Sequence, residues 1–103
     1  MREKAITEMK AELFKMLANA SRIEILYVLM KKEKNVNALA MDLGLSKSSM
    51  SQHLTVMRHR GLLNARREGM NVYYRLENVK IMTICALLHE ISKSLPAQRT
   101  LHS

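Results

Sequence analysis

The stretch Ser46 to Gly61, SKSSMSQHLTVMRHRG, decides how the rest of the chain is read. Ser46, Ser48, Ser49 and Ser51 crowd its start, and Gln52, His53, Arg58, His59 and Arg60 follow. A solvated loop, a group of nucleophiles and a helix with a polar outer face all fit that composition. Spacing separates them. Met50, Leu54 and Met57 stand at i, i+4 and i+7, one side of a helix, and Val56 widens the stripe slightly. Ser46 suits an N-cap, because its hydroxyl can accept a bond from a free amide of the next turn. Leu45 then falls at N′ and Met50 at N4, a hydrophobic staple that sets the angle of entry. Lys47, Ser48, Ser51, Gln52, Thr55, Arg58 and His59 are left facing outward, and Gly61 ends the helix.

Immediately upstream, Asn35 can cap a short helix in which Val36, Leu39, Ala40 and Leu43 repeat the same spacing. Gly44 ends it, as glycine does where the C′ residue must be left-handed. Two short helices joined by a tight glycine-containing turn, the second one polar outside, make a helix-turn-helix. The outer face has the chemistry of base-edge readout: glutamine can bridge adenine N6 and N7, and hydroxyls can donate or accept. Lysine, arginine and the free amides around Lys47–Ser49 can hold phosphates. The plainer alternative is that the serines only cover an exposed face, but serine is a mediocre helix former.

Downstream the period changes to two. LLNARREGMNVYYRL, starting at Leu62, reads as two short strands around a turn at Glu68–Asn71. Val72, Tyr74 and Leu76 share one face, with Tyr73 and Arg75 on the other. Arg66 and Arg67 stand towards the tip beside Gly69. A hairpin directly after a recognition helix is a wing, and its arginines can follow the DNA backbone or enter the minor groove. An ordinary hairpin with solvated arginines is the alternative.

Towards the N-terminus, Ile6, Met9, Leu13 and Met16 mark a helix over Lys4 to Leu17, with near-heptad spacing. It can pack on its own core or form one side of a dimer seam. Asn19 can cap a second helix, Ala20 to about Lys32. Ile23, Ile25, Leu26, Tyr27, Leu29 and Met30 give it the broad apolar face of a central helix. Lys31 and Lys32 suit its C-terminal dipole. Asn78 can cap a last helix, Val79 to about Leu95 before Pro96, that is apolar around most of its circumference. One small domain offers little to cover such a helix, and a second subunit is the simplest cover. The expected seam is Ile6, Met9, Leu13, Ile84, Leu88 and Ile91. Residues 1–95 are read as one domain and 96–103 as a loose polar tail.

Composition agrees. A chain of 103 residues is one domain, and 48% hydrophobic with 25% charged residues is ordinary globular chemistry. Aromatics are only 4%, so the core must be aliphatic. Three glycines and one proline disfavour an all-β sandwich. One cysteine, Cys85, excludes an internal disulfide and any CxxC site, which fits a reducing compartment. No apolar run approaches membrane-spanning length, and MREKAITEMK carries charges where a signal peptide needs an apolar core. A soluble, cytoplasmic protein is expected. Net charge is +8, of which +5 falls in residues 46–75, where Lys47, Arg58, Arg60, Arg66, Arg67 and Arg75 face Glu68 alone. That clustering points to a polyanion, although a basic solvated surface gives the same count. The serines lack a positioned base and acid, and there are no paired carboxylates, so no enzyme is expected.

LFKMLANASRIEIL, LAMDLGLSKSSMSQHLTVMRHRGLL and RREGMNVYYRL closely resemble the ArsR/SmtB family of winged helix-turn-helix repressors, over roughly residues 10–92. The resemblance implies a mainly α fold with a small β-hairpin wing. It also implies a homodimer on a palindromic double-stranded operator and an inducer that releases DNA. It puts Ser48, Ser49, Ser51, Gln52 and His53 where base and phosphate contacts are made; His53 lies nearer the buried side and is equally open to a structural role. The candidate DNA-binding set is Lys47, Ser48, Ser49, Ser51, Gln52, His53, Thr55 and Arg58 on the helix, with Arg66, Arg67 and Asn71 on the wing. A winged helix used only for protein interaction or dimerisation is the alternative.

The family's sensing sites do not match. Its Cys-x-Cys metal site would fall at Asn35 and Asn37, whose amides cannot replace soft thiolates. Its last-helix site would fall near Asn78, Lys80, Ile91 and Ser94. His89 and Glu90 are adjacent rather than helix-spaced, and His102 lies in the tail. The chain is especially similar to a thiol-switch branch, but the two cysteines of that switch would fall at Tyr27 and Lys93. Cys85, flanked by Ile84 and Ala86, reads as a buried thiol. No metal, no cofactor and no inducer is therefore assigned.

Overall fold

The computed structural model describes residues 2–96. Five helices and three short strands follow in the order α1 (Arg2–Leu17), α2 (Ala20–Lys31), β1 (Lys34–Asn35), α3 (Val36–Leu43), α4 (Lys47–His59), β2 (Leu63–Glu68), β3 (Asn71–Leu76) and α5 (Lys80–Ser94). This is the expected mainly α fold with a hairpin wing. The first helix starts at Arg2, two residues before the expected Lys4, and the tail expected over 96–103 lies outside the described residues from 97 onward.

The caps explain the boundaries. Asn19 Oδ1 accepts from the Arg22 amide at 3.1 Å, and Asn35 Oδ1 accepts from the Ala38 amide at 2.9 Å. Gly44 has φ 66°, its amide reaches the Met41 carbonyl, and the Leu45 amide reaches the Ala40 carbonyl at 3.0 Å. Those two bonds are a Schellman motif, which only a left-handed residue allows without strain. Gly61, φ 81°, repeats the motif after α4, with Leu62 bonded back to the Met57 carbonyl at 2.9 Å. At α5 the Asn78 side chain accepts from the Lys80 amide at 2.8 Å, while Val79 is already helical.

The sheet order is β1-β3-β2, antiparallel throughout. β1 is absent from the sequence reading. Two residues carry no period, and Asn35 is both strand residue and helix cap. The hairpin pairs Leu63 with Leu76, Ala65 with Tyr74 and Glu68 with Asn71, so the turn is where the sequence puts it.

The core is aliphatic: Ile25, Leu26, Leu39, Met50, Leu54 and Met57 are fully buried. Tyr74 and Leu76 of the wing pack against it. α1 adds only Met16 to the buried core, and α5 only Ile81 and Cys85. The Cα radius of gyration is 15.2 Å, against about 13 Å for a compact domain of this size. The terminal helices stand proud of the domain.

Candidate nucleic-acid interface

α4 is held from behind and bare in front. Ser46 Oγ accepts from the Ser49 amide at 3.0 Å, and Leu45 and Met50 belong to one apolar cluster, as a staple requires. Met50, Leu54 and Met57 have no exposed surface. Lys47, Ser48, Ser51, Gln52, Thr55 and Arg58 are exposed, and none makes a side-chain hydrogen bond or ion pair among the described residues. Their donors and acceptors are free for a ligand. Ser49 is only half exposed, and its amide is already used by the cap.

His53 stands at the border of this face, lining an open cleft with Arg22, Ser51, Gln52 and Thr55. It is half-buried, and its Nδ1 accepts from Arg22 Nε at 3.2 Å. Burial, and secondly the Arg22 charge, push its pKa below 6.5. Both effects favour the neutral ring, and one of its nitrogens already has a protein partner.

The wing separates its two adjacent arginines. Successive strand residues face opposite sides. Arg67 lies opposite Val72, Arg66 opposite Tyr73. Arg66 Nε donates to Glu33 Oε1 at 2.9 Å, and its two terminal nitrogens reach Glu33 and Glu68. Its guanidinium carbon sits 4.8 Å from the Tyr73 ring centroid. Hydrogen bonding to Arg66 holds the Glu33 carboxyl below its ordinary value, and the carboxylates push Arg66 further up in return. Arg66 thus ties the wing to the segment before β1 and is not a free cation at the tip. Arg67 is exposed and has no partner among the described residues. Asn71 is exposed, and its Oδ1 is 3.4 Å from Asn35 Nδ2.

A second surface lies on the terminal helices. Met9 is 71% exposed and Ile91 55%, with Ile6, Ile84 and Leu88 also exposed. Leu13 differs from its seam companions: it is half-buried against its own domain. Phe14, 72% exposed, and Leu87 extend the apolar surface beyond the six expected seam residues. An apolar cleft of about 200 Å³, walled by Leu13, Leu17, Ile23, Leu26, Ile84 and Leu88, opens between α1, α2 and α5. Cys85 is buried, burial pushes its thiol pKa up, and its backbone carbonyl accepts from the Tyr27 hydroxyl at 2.9 Å. A protonated buried thiol is a poor nucleophile. Among the described residues no group of three or more His, Cys, Asp or Glu is placed to hold a metal ion, and no helix is long and apolar enough to cross a membrane.

A stapled, glycine-terminated helix pair followed by a hairpin against the same core defines a winged helix-turn-helix domain. The sequence profile of the bacterial regulatory protein, arsR family, matches residues 19–65. The regulator KmtR of Mycobacterium tuberculosis is 45% identical over 67 residues, which are 65% of this chain but only 52% of KmtR. The transcriptional activator HlyU of Vibrio cholerae is 39% identical over 77% of this chain and 73% of its own. Among solved structures, the homodimeric winged helix-turn-helix DNA-binding domain of Mb0332 from Mycobacterium bovis superposes with a TM-score of 0.83 at 32% identity, over 92% of this chain and 88% of that one. The chain belongs to the ArsR family of bacterial transcriptional regulators.

Proposed function

We propose that this chain is a cytoplasmic, homodimeric repressor that occupies a palindromic operator and has no catalytic activity. The observation that carries the reading is the outward face of α4. Lys47, Ser48, Ser51, Gln52, Thr55 and Arg58 converge on one exposed surface with no side-chain partners among the described residues. Unpaired donors and acceptors on a rigid helix meet base edges and phosphates without losing internal bonds. In the dimer each α4 enters a major groove, the two about one DNA turn (~34 Å) apart.

The roles of the candidate residues divide. Gln52, Ser48, Ser51 and Thr55 take the base edges, and Lys47 and Arg58 the flanking phosphates. Arg67 is the wing's phosphate contact, and Asn71, next to the turn on the face of Arg66 and Glu68, is a second wing contact. Arg66 shapes the wing and Ser49 serves the cap. The exposed apolar faces of α1 and α5 and the cleft between them support a dimer seam through Ile6, Met9, Ile84, Leu88 and Ile91, with Phe14 and Leu87 added and Leu13 underlying it.

The test is a fluorescence anisotropy titration of a duplex from the DNA upstream of its own gene, repeated from ~50 to ~200 mM salt. The expected result is binding of two chains per duplex with a steep inverse salt dependence. Absence of binding at ~50 mM salt would reduce the domain to a protein-interaction module.

A further inference from the structure

His53 and Arg22 carry a role that neither the polar face of α4 nor the dimer seam accounts for. Arg22 is placed by the Asn19 cap in the first turn of α2. From there its guanidinium reaches two other helices. Nε donates to His53 Nδ1 of α4 at 3.2 Å, and Nη1 donates to the Met16 carbonyl of α1 at 3.3 Å. Met16 lies in the last turn of α1, whose final carbonyls have no partner within the helix. One side chain therefore joins the end of a terminal helix to the flank of the recognition helix. The flanking residues on α4 leave no slack, because Met50, Leu54 and Met57 are fully buried.

We propose that Arg22 and His53 are a positioning pair that sets the orientation of the recognition helix relative to α1, and hence to the partner subunit's α4. This rests on the DNA-binding reading above. Two half-sites are read together only if the two recognition helices keep a fixed separation and tilt. The pair would therefore govern operator discrimination more than affinity for DNA in general.

The contact needs neutral His53, since a ring nitrogen accepts only when it carries no proton. Protonation at Nδ1 would set a cation against a guanidinium. Among the described residues Arg22 on α2 is the charged group acting on the ring; Arg22 also binds the Met16 carbonyl of α1, and the α4 positions one turn away, Ser49, Met50, Val56 and Met57, are uncharged. The sign of the acid response thus distinguishes two roles. A phosphate-contacting histidine strengthens DNA binding as pH falls, whereas a positioning histidine loses discrimination.

The experiment compares anisotropy titrations on the upstream duplex and on a scrambled duplex of equal length, from about pH 5.5 to 7.5, a range that brackets the ordinary histidine value. The proteins are wild type, Arg22→Gln, His53→Leu and His53→Asn. Asn Oδ1 can accept at the reach of Nδ1 but does not titrate. Expected are a fall of about tenfold in the operator-to-scrambled ratio for Arg22→Gln and His53→Leu, as for a lost charge-assisted bond. Binding to the scrambled duplex stays near wild type. His53→Asn should restore the ratio and make it independent of pH, while the wild-type ratio falls in acid. Unchanged ratios in Arg22→Gln and His53→Leu, or a wild type that binds both duplexes more tightly in acid, overturn the proposal. If His53→Leu does not fold by circular dichroism, His53→Asn decides alone: a pH-independent ratio supports the pair, and a wild-type pH profile overturns it. A wild type that does not separate the two duplexes at pH 7.5 removes the DNA reading and the pair together, an outcome distinct from failure of the variants alone.

Discussion

Removing Arg67 and removing Arg66 should have different consequences for DNA binding, although the two are neighbours in sequence. Arg67 is an exposed cation without a partner among the described residues, on the wing face opposite Arg66. Arg66 lies between the carboxylates of Glu33 and Glu68. The trio carries one positive and two negative charges, so Arg66 has no surplus charge for a phosphate. Each phosphate neutralised by a cation contributes about 0.9 to the slope of log affinity against log salt. A dimer has two wings, so Arg67→Ala should flatten the slope by about 1.8. Between ~50 and ~200 mM salt that is roughly a tenfold smaller loss of affinity than wild type shows. Arg66→Ala should flatten it far less and instead loosen the hairpin, because Glu33 and Tyr73 lose their shared partner. Glu33→Gln should leave the slope unchanged or steepen it, since it releases Arg66. The assay is anisotropy on one duplex at several salt concentrations. Equal flattening by Arg66→Ala and Arg67→Ala would refute the division of labour, as would flattening by Glu33→Gln.

Three further outcomes are expected. Leu54→Ala, at a position with no exposed surface, should cost about 2–5 kcal/mol, seen as a large drop in midpoint on thermal melting. Ser46→Ala removes the acceptor for the Ser49 amide and should cost about 1 kcal/mol; Ser46→Asp should retain that stability in the same melts. Ile91→Glu, on the exposed face of α5, should shift the chain from dimer to monomer in sedimentation velocity with its helical circular dichroism retained.

Local chemistry made the helix-turn-helix legible. Asn35, Gly44, Ser46 and Gly61 each do what their side chains or φ values favour, and the i, i+4, i+7 spacing of Met50, Leu54 and Met57 fixed which side of α4 is buried. The hairpin register followed from alternation and a glycine turn. What escaped the sequence is tertiary. Glu33 meets Arg66 across 33 positions and Arg22 meets His53 across 31. No period or spacing announces either pair. They alter the roles of two candidate residues without altering the fold. Strand β1 escaped because two residues are too few to show a period. Phe14 escaped because it lies off the stripe of Ile6, Met9 and Leu13, yet it is exposed on the same helix.

The central claim is that the free polar face of α4 reads base sequence. The most direct measurement is the ratio of dissociation constants for the upstream duplex and its scrambled counterpart, for wild type and for Gln52→Ala at one salt concentration. Wild type should favour the upstream duplex by about a thousandfold or more. Gln52→Ala should reduce that preference by about tenfold or more, as for a lost bidentate base contact, while still binding the scrambled duplex. An unchanged ratio in Gln52→Ala, or a wild type that binds both duplexes equally, would contradict it.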